Sequence, residues 1–170
     1  CGIRLEEVHR IDWDSIDEDA EHIGKHEKDD YSGWSITVWD TQEKTRVTKV
    51  NPIPENAQHW LKICKVNWPE DELTYIAHPN WMRRKQQLWR KFKEQDGNSP
   101  LPQNTARHTW ASHHLALYQD PTLTSQRLGH QESSRTLFEY YAAFAKPSHG
   151  KKYFQIYSKL KDIEDKIKVE

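Results

Sequence analysis

The chain has 170 residues, 35% of them hydrophobic, with 25 Lys/Arg, 26 Asp/Glu and a formal net charge of −1, which is one domain's worth of polypeptide and enough for a single core. No run nears the roughly 18 apolar residues of a membrane span, and the N-terminus has no signal-peptide pattern. The two cysteines, Cys1 and Cys64, make neither a disulfide framework nor a metal spacing. Membrane-spanning and disulfide-scaffold classes are thereby excluded, and a cytoplasmic protein is expected.

The small net charge hides a division. Residues 1–31 carry four basic and eleven acidic side chains, a balance of −7, which leaves +6 on the other 139. Eight Trp and seven Tyr supply core volume where aliphatic residues are sparse.

In chain order, "CGIRLEEVHRIDWDSID" reads as a helix already under way, with no cap before it. The expectation is a fragment whose N-terminal part has been removed. "WSITVWD" and "TRVTKVNPIP" are two alternating runs separated by "TQEK", the pattern of a β-hairpin whose second strand ends at Pro52. "PENAQHWLKIC" predicts a helix with proline near its first turn, and residues 65–79 have no clear period. "PNWMRRKQQLWRKFKEQDG" predicts a helix closed at Gly97. Its basic stretch, Arg83, Arg84, Lys85, Arg90, Lys91 and Lys93, is either a solvated face or a phosphate-contacting one. After "SPLPQ", the segment "NTARHTWASHHLALYQD" places Ala106, Trp110, His113 and Leu117 at helical spacing as a buried face. "TLTSQRLG" predicts a further helix ending at Gly129. "KPSHGKK" reads as a break before a final helix striped by Ile156, Leu160, Ile163 and Ile167. The expected fold class is mainly α with one small antiparallel β-sheet.

Five features recur in a fixed order: "GIRLEE" with Arg4 and Glu7, Lys44 at the hairpin turn eight residues before Pro52, "NTARHTWAS" with Arg107, "LGH" with His130, and "EYYAAF" with Tyr140 and Tyr141. Together they resemble the catalytic domain of the tyrosine recombinases, or phage-type integrases, over residues 2 to 147. That family is marked by an arginine in G-[hydrophobic]-R-x-x-E, a hairpin lysine, H-x-x-R-H-T-x-A-S, L-G-H and a tyrosine about ten residues later. One departure stands out: Asn104 occupies the place of the family's histidine three residues before the second arginine.

The resemblance implies a DNA breaking-and-rejoining domain over 1–150 and a C-terminal helix over 151–170. It further implies site-specific recombination, integration or excision, through a 3′-phosphotyrosyl intermediate. Such a reaction needs a nucleophile, charge stabilisation on the non-bridging oxygens and a proton donor for the leaving oxygen. Guanidinium groups suit the second task, because they stay charged and bind phosphate bidentately. The implied roles are Arg4 and Arg107 as the phosphate clamp, Lys44 as general acid, His130 as hydrogen-bond donor and Tyr141 as nucleophile. Tyr140 is the alternative nucleophile. Glu7 orients Arg4, and His108 stands behind Asn104, which can hydrogen-bond but not shuttle protons. No cofactor is implied, and the His pairs lack the third ligand that zinc needs. The implied partner is double-stranded DNA, bound as a homo-oligomer (a tetramer on DNA from a protein that is monomeric in isolation), with no membrane. The basic stretch then contacts the phosphate backbone.

Simpler readings stand beside these. Asn104 is also a favoured N-cap residue, Arg4 and Glu7 an i,i+3 pair, and His130 a capping position after Gly129. Lys49 and Arg46 compete with Lys44. The C-terminal stripe packs either on its own domain or on a neighbouring subunit. A DNA-binding accessory protein that has lost chemistry and a type IB topoisomerase are the alternative functions.

Overall fold

The computed structural model describes residues 2–20, 33–39, 48–67, 75–77, 80–96, 104–129 and 145–157. Residues 2–4 are not helical. The first helix, α1, is the short Leu5–Val8, and it starts where the carboxylate of Glu7 reaches back to accept the backbone N–H of Arg4 at 2.9 Å, half of a capping box. A 3₁₀ turn, Trp13–Ser15, follows, capped by Asp12, which accepts from the Ser15 N–H at 2.9 Å. This turn leads into β1, Ile16–Ala20.

The expected long opening helix is therefore absent, replaced by a turn of helix and an edge strand. "IDEDA" has no apolar alternation to announce a strand. Its pairing is imposed by β2, Gly33–Val38, which it meets antiparallel with Ile16 opposite Ile36. The expected hairpin strands are present: β2 also pairs antiparallel with β3, Lys49–Pro52, with Val38 opposite Lys49 and Ser35 opposite Pro52. The sheet order is β1-β2-β3.

Helix α2, Glu55–Val66, starts directly after Pro54. Helix α3, Trp81–Asp96, carries the basic stretch. Helices α4, Thr105–Tyr118, and α5, Pro121–Leu128, are joined by Gln119 and Asp120, the Asp120 side chain accepting from the Leu123 N–H at 2.9 Å. Helix α6 is Pro147–Tyr153. Among the described residues the chain is thus mainly helical, with a three-stranded antiparallel sheet.

Two expectations fail on this side of the molecule. The buried residues of α4 are Arg107, Trp110, Ala111, Ser112, His114, Leu115 and Ala116, while Ala106 is exposed and His113 and Leu117 are only partly covered. The helix packs against both α5 and α6, so no single stripe describes its buried face. "KPSHGKK" is not a break but the body of α6, with Pro147 in its first turn. A Cβ on Gly150 would lie 2.7 Å from the His113 carbonyl oxygen and 2.9 Å from the Leu117 nitrogen. Only glycine lets the two backbones approach this closely. Of the expected C-terminal stripe, Ile156 lies beyond α6 and is 53% exposed; Leu160, Ile163 and Ile167 lie outside the described residues.

Two apolar clusters hold the fold. One joins Trp110, Ala111, Leu115 and Leu128 to Tyr153 and Phe154. The other joins Ile11, Trp34, Ile36, Val38 and Ile53 across the sheet, with Leu61 of α2 packed on it. Between them runs an apolar cleft of about 430 Å³, bordered by Ile3, Ile36, Ile53, Trp60, Trp110 and Tyr153 among others. Two side chains of α2 tie the clusters across it: Asn56 Nδ2 donates to the Tyr153 carbonyl at 3.2 Å and Trp60 Nε1 to the Ile156 carbonyl at 3.1 Å. None of the described helices is long and apolar enough to cross a membrane.

Candidate active site

Arg4 stands at the entry to α1, where the chain passes from extended to helical conformation. Its Nη1 donates to Glu7 Oε1 at 2.8 Å. Glu7 is almost fully buried, at 2% exposure, whereas the Arg4 side chain is 20% exposed. The carboxylate therefore grips the guanidinium from beneath and leaves part of it open. The other oxygen, Oε2, takes both the Arg4 N–H at 2.9 Å and, at 3.5 Å, the Nζ of Lys49 on β3. A buried carboxylate needs such partners, because an unpaired charge there is strongly disfavoured.

Arg107 lies in the first turn of α4 at 7% exposure. Its Nη1 donates to the carbonyl of Gly2, and its Nη2 to the carbonyl of Leu128 at 2.5 Å. It joins the segment leading to Arg4 to the end of α5, where Gly129 and then His130 follow. Gly2, at φ +64°, lies so close to the Trp110 ring that a Cβ would sit 2.7 Å from it, so the Arg4 segment is pressed onto α4. Arg127, also buried, extends Nη1 to the carbonyl of Val50 at 3.4 Å, next to Lys49. In this way the entry to α1 and strand β3 bring Arg4 and Lys49 to Glu7, while Arg107 of α4 and Arg127 of α5 are fixed by the carbonyls of Gly2, Leu128 and Val50.

Asn104 holds the N-cap position of α4 with φ 61° and ψ 16°, and its side chain makes no capping bond. The left-handed conformation, rather than a cap, accounts for a residue of this type here, since Asn, Asp and His are the non-glycine residues that best tolerate it. Its carbonyl accepts the N–H of His108 at 2.9 Å. His108 is exposed on the first turn of α4.

Beneath the arginines, His114 is buried against Trp110 and Tyr118, with ring centroids 4.5 and 4.4 Å away. Thr124 gives its hydroxyl proton to the Asp120 carbonyl at 2.8 Å, so the 2.8 Å contact between His114 Nδ1 and Thr124 Oγ1 needs the proton on Nδ1. Burial, reinforced by the positive charge of Arg127, lowers the pKa of His114 from 6.5 to about 3. It is a neutral structural residue at physiological pH.

The basic side chains of α3 are placed differently. Arg83, Arg84, Arg90, Lys91 and Lys93 project to solvent, and Lys85 lies 5.6 Å from the centre of the Trp81 ring. Met82, Leu88, Trp89 and Phe92 are also exposed on this helix. Helix α3 joins the rest of the molecule at its first turn, where Trp81 stacks on His9 at 6.0 Å.

The structure thus pairs Arg4 with Glu7, bonds Arg107 to the Gly2 carbonyl two residues before Arg4, and sets Asn104 and His108 at the same end of α4. Lys44, His130, Tyr140 and Tyr141 lie outside the described residues. Sequence reasoning weighed Lys49 only as a rival to Lys44; its link to Glu7 spans 42 residues and has no local signature. No group of three or more metal-ligating side chains occurs among the described residues.

A model of the phage integrase family matches residues 1–146. Comparison with curated proteins and with solved structures finds no match.

Proposed function

The chain belongs to the phage integrase family, the tyrosine recombinases of DNA, and from this we propose that it cuts and rejoins duplex DNA at a specific site through a 3′-phosphotyrosyl intermediate. The observation that supports the reading is the pair of fixed arginines: Arg4 is held by the buried carboxylate of Glu7, which Lys49 also meets, and Arg107 by the carbonyls of Gly2 and Leu128, and guanidinium groups held in place suit a phosphodiester.

In the proposed reaction Arg4 and Arg107 hold the non-bridging oxygens of the scissile phosphate, with His130 donating a further hydrogen bond. The Tyr141 phenol, with an unperturbed pKa of about 10, loses its proton to solvent under the influence of these cations. Its oxygen attacks phosphorus, the bond to the 5′ oxygen breaks, and Lys44 delivers a proton to that oxygen as the electron pair arrives. The new phosphotyrosyl ester keeps the energy of the broken bond, so a 5′ hydroxyl can reverse the step with no metal or nucleotide consumed.

On this reading residues 1–150 form the catalytic domain, and Arg83, Arg84, Lys85, Arg90, Lys91 and Lys93 of α3 contact the DNA backbone, positioning the enzyme without reading bases. Residues 151–170 join copies of the chain in a tetramer on DNA. Tyr153 and Phe154 pack in the home cluster, whereas the Ile156 side chain is 53% exposed, so the contact with a neighbour is assigned to Ile156 and the residues after it.

The test is covalent capture on a nicked suicide substrate carrying the natural site. A DNA adduct that survives denaturation and disappears in Tyr141→Phe is expected. Loss only in Tyr140→Phe moves the nucleophile by one residue. Firm, salt-sensitive DNA binding without any adduct makes the chain a DNA-binding accessory protein and overturns the enzyme reading.

A further inference from the structure

We propose that Lys49 is a positioning residue for DNA cleavage, acting on Arg4 through Glu7. The proposal rests on the recombinase reading above, and it concerns a lysine distinct from the general acid assigned to Lys44.

The argument begins with charge. Glu7 is buried and forms two hydrogen bonds with Arg4, one to the backbone and one to the side chain. A guanidinium paired one to one with a buried carboxylate presents a phosphate with little net charge. Lys49, only 9% exposed, places its ammonium 3.5 Å from Oε2 of the same carboxylate. The ammonium offsets the charge of that carboxylate, so Glu7 cancels less of the attraction of Arg4 for an anion.

Geometry adds a second effect. Arg4 is the N-cap and Glu7 the third residue of a four-residue helix, too short to be rigid by its own hydrogen bonds. Lys49 lies on β3, opposite Val38 in the sheet, and Val38 is fully buried in the sheet's apolar cluster. The contact from Lys49 therefore references Glu7, and through it the Arg4 side chain, to the sheet. Arg127, bonded to the neighbouring Val50 carbonyl, ties the same strand to α5. A small displacement of a phosphate-binding group costs rate much more than affinity, because the pairing must be right in the transition state.

Single-turnover cleavage by the full chain, at saturating DNA, tests the proposal with Lys49→Met, Lys49→Arg, Glu7→Gln and the double variant Glu7→Gln/Lys49→Met. The substrates are a normal suicide DNA and one with sulfur in place of the scissile 5′ bridging oxygen, whose departure needs no proton. Lys49→Met is expected to lose roughly 10- to 100-fold in rate on both substrates while DNA affinity changes little. Lys49→Arg should restore most of the rate. The double variant should be no slower than Glu7→Gln alone, since one link removed twice is removed once. It also leaves no buried carboxylate short of its lysine partner, and so remains informative if Lys49→Met fails to fold.

Wild-type rate in Lys49→Met overturns the proposal. So do recovery of that variant on the sulfur substrate, which would make Lys49 the proton donor, and additive losses in the double variant. Absence of an adduct from the wild-type chain is a separate result, which removes the recombinase reading and this proposal with it.

Discussion

Single residues at the proposed site are tied to stability as well as to the proposed chemistry. Arg107 donates to two main-chain carbonyls from a buried position, and each such charged hydrogen bond contributes about 1.5–3 kcal/mol. Arg107→Ala is therefore expected to lower the unfolding free energy by about 2–4 kcal/mol as well as to abolish adduct formation; urea denaturation measures the first effect apart from the second. Asn104 poses the opposite case. Its left-handed backbone disfavours alanine by about 1–2 kcal/mol, so Asn104→Ala should be less stable and Asn104→Gly should not be. Asn104→His keeps a residue type that accepts this conformation and adds a group that moves protons near neutral pH; it is expected to cleave faster than wild type in single-turnover assays.

His114 gives a pH dependence whose sign is set by its neutral folded form. Its pKa is about 3 when folded against 6.5 otherwise, so between these values the unfolded chain binds a proton that the folded chain refuses. Stability contributed by this residue is complete above pH 6.5 and falls on acidification toward pH 3, by about 1.4 kcal/mol per unit once below 6.5. His114→Gln should flatten the acid limb of a Tm-against-pH curve relative to wild type. A variant curve parallel to the wild-type one at pH 4–6.5 would contradict this.

Among the secondary elements, α6 and α3 differ in what holds them. Helix α6 is seven residues long and depends on contact with α4, which Gly150 makes possible. Gly150→Ala places a methyl group 2.7 Å from a backbone oxygen, an overpacking expected to cost about 1–3 kcal/mol and to lower Tm measurably. Helix α3 has its basic residues in solvent. Replacing Arg83, Arg84, Arg90 and Lys91 with Gln should leave Tm nearly unchanged while weakening DNA binding. Each lost phosphate contact should reduce the slope of log affinity against log salt by about one. An unchanged slope would remove α3 from the DNA interface.

At the level of the whole molecule, two apolar clusters meet along a cleft, and the residues proposed to clamp phosphate are bonded across the junction of sheet and helices. Polar replacement of Leu160, Ile163 and Ile167 should impair assembly on DNA, read by sedimentation or native gels, while cleavage of a single half-site persists.

Much of this architecture is legible from local rules. Alternation in "WSITV" and punctuation by Pro52 mark the β2–β3 hairpin, and Pro121 and Gly129 bracket α5. The order of Arg4, Glu7 and Arg107 in their motifs likewise marks the family to which the chain belongs. Other features had no local signal. "IDEDA" becomes a strand because β2 offers a ladder, and "KPSHGKK" becomes a helix because α4 offers a surface that only Gly150 fits.

Residue identity and short-range spacing set propensity, capping and chemical capacity, so they carried the family, the hairpin and the arginines. Which face of α4 is buried, and which lysine meets Glu7, depended on packing between segments far apart in the chain. The Arg107–Gly2 bond spans 105 residues and the Lys49–Glu7 contact 42. Such pairings are won by closing long loops around a shared core, and no stretch of neighbouring residues encodes them.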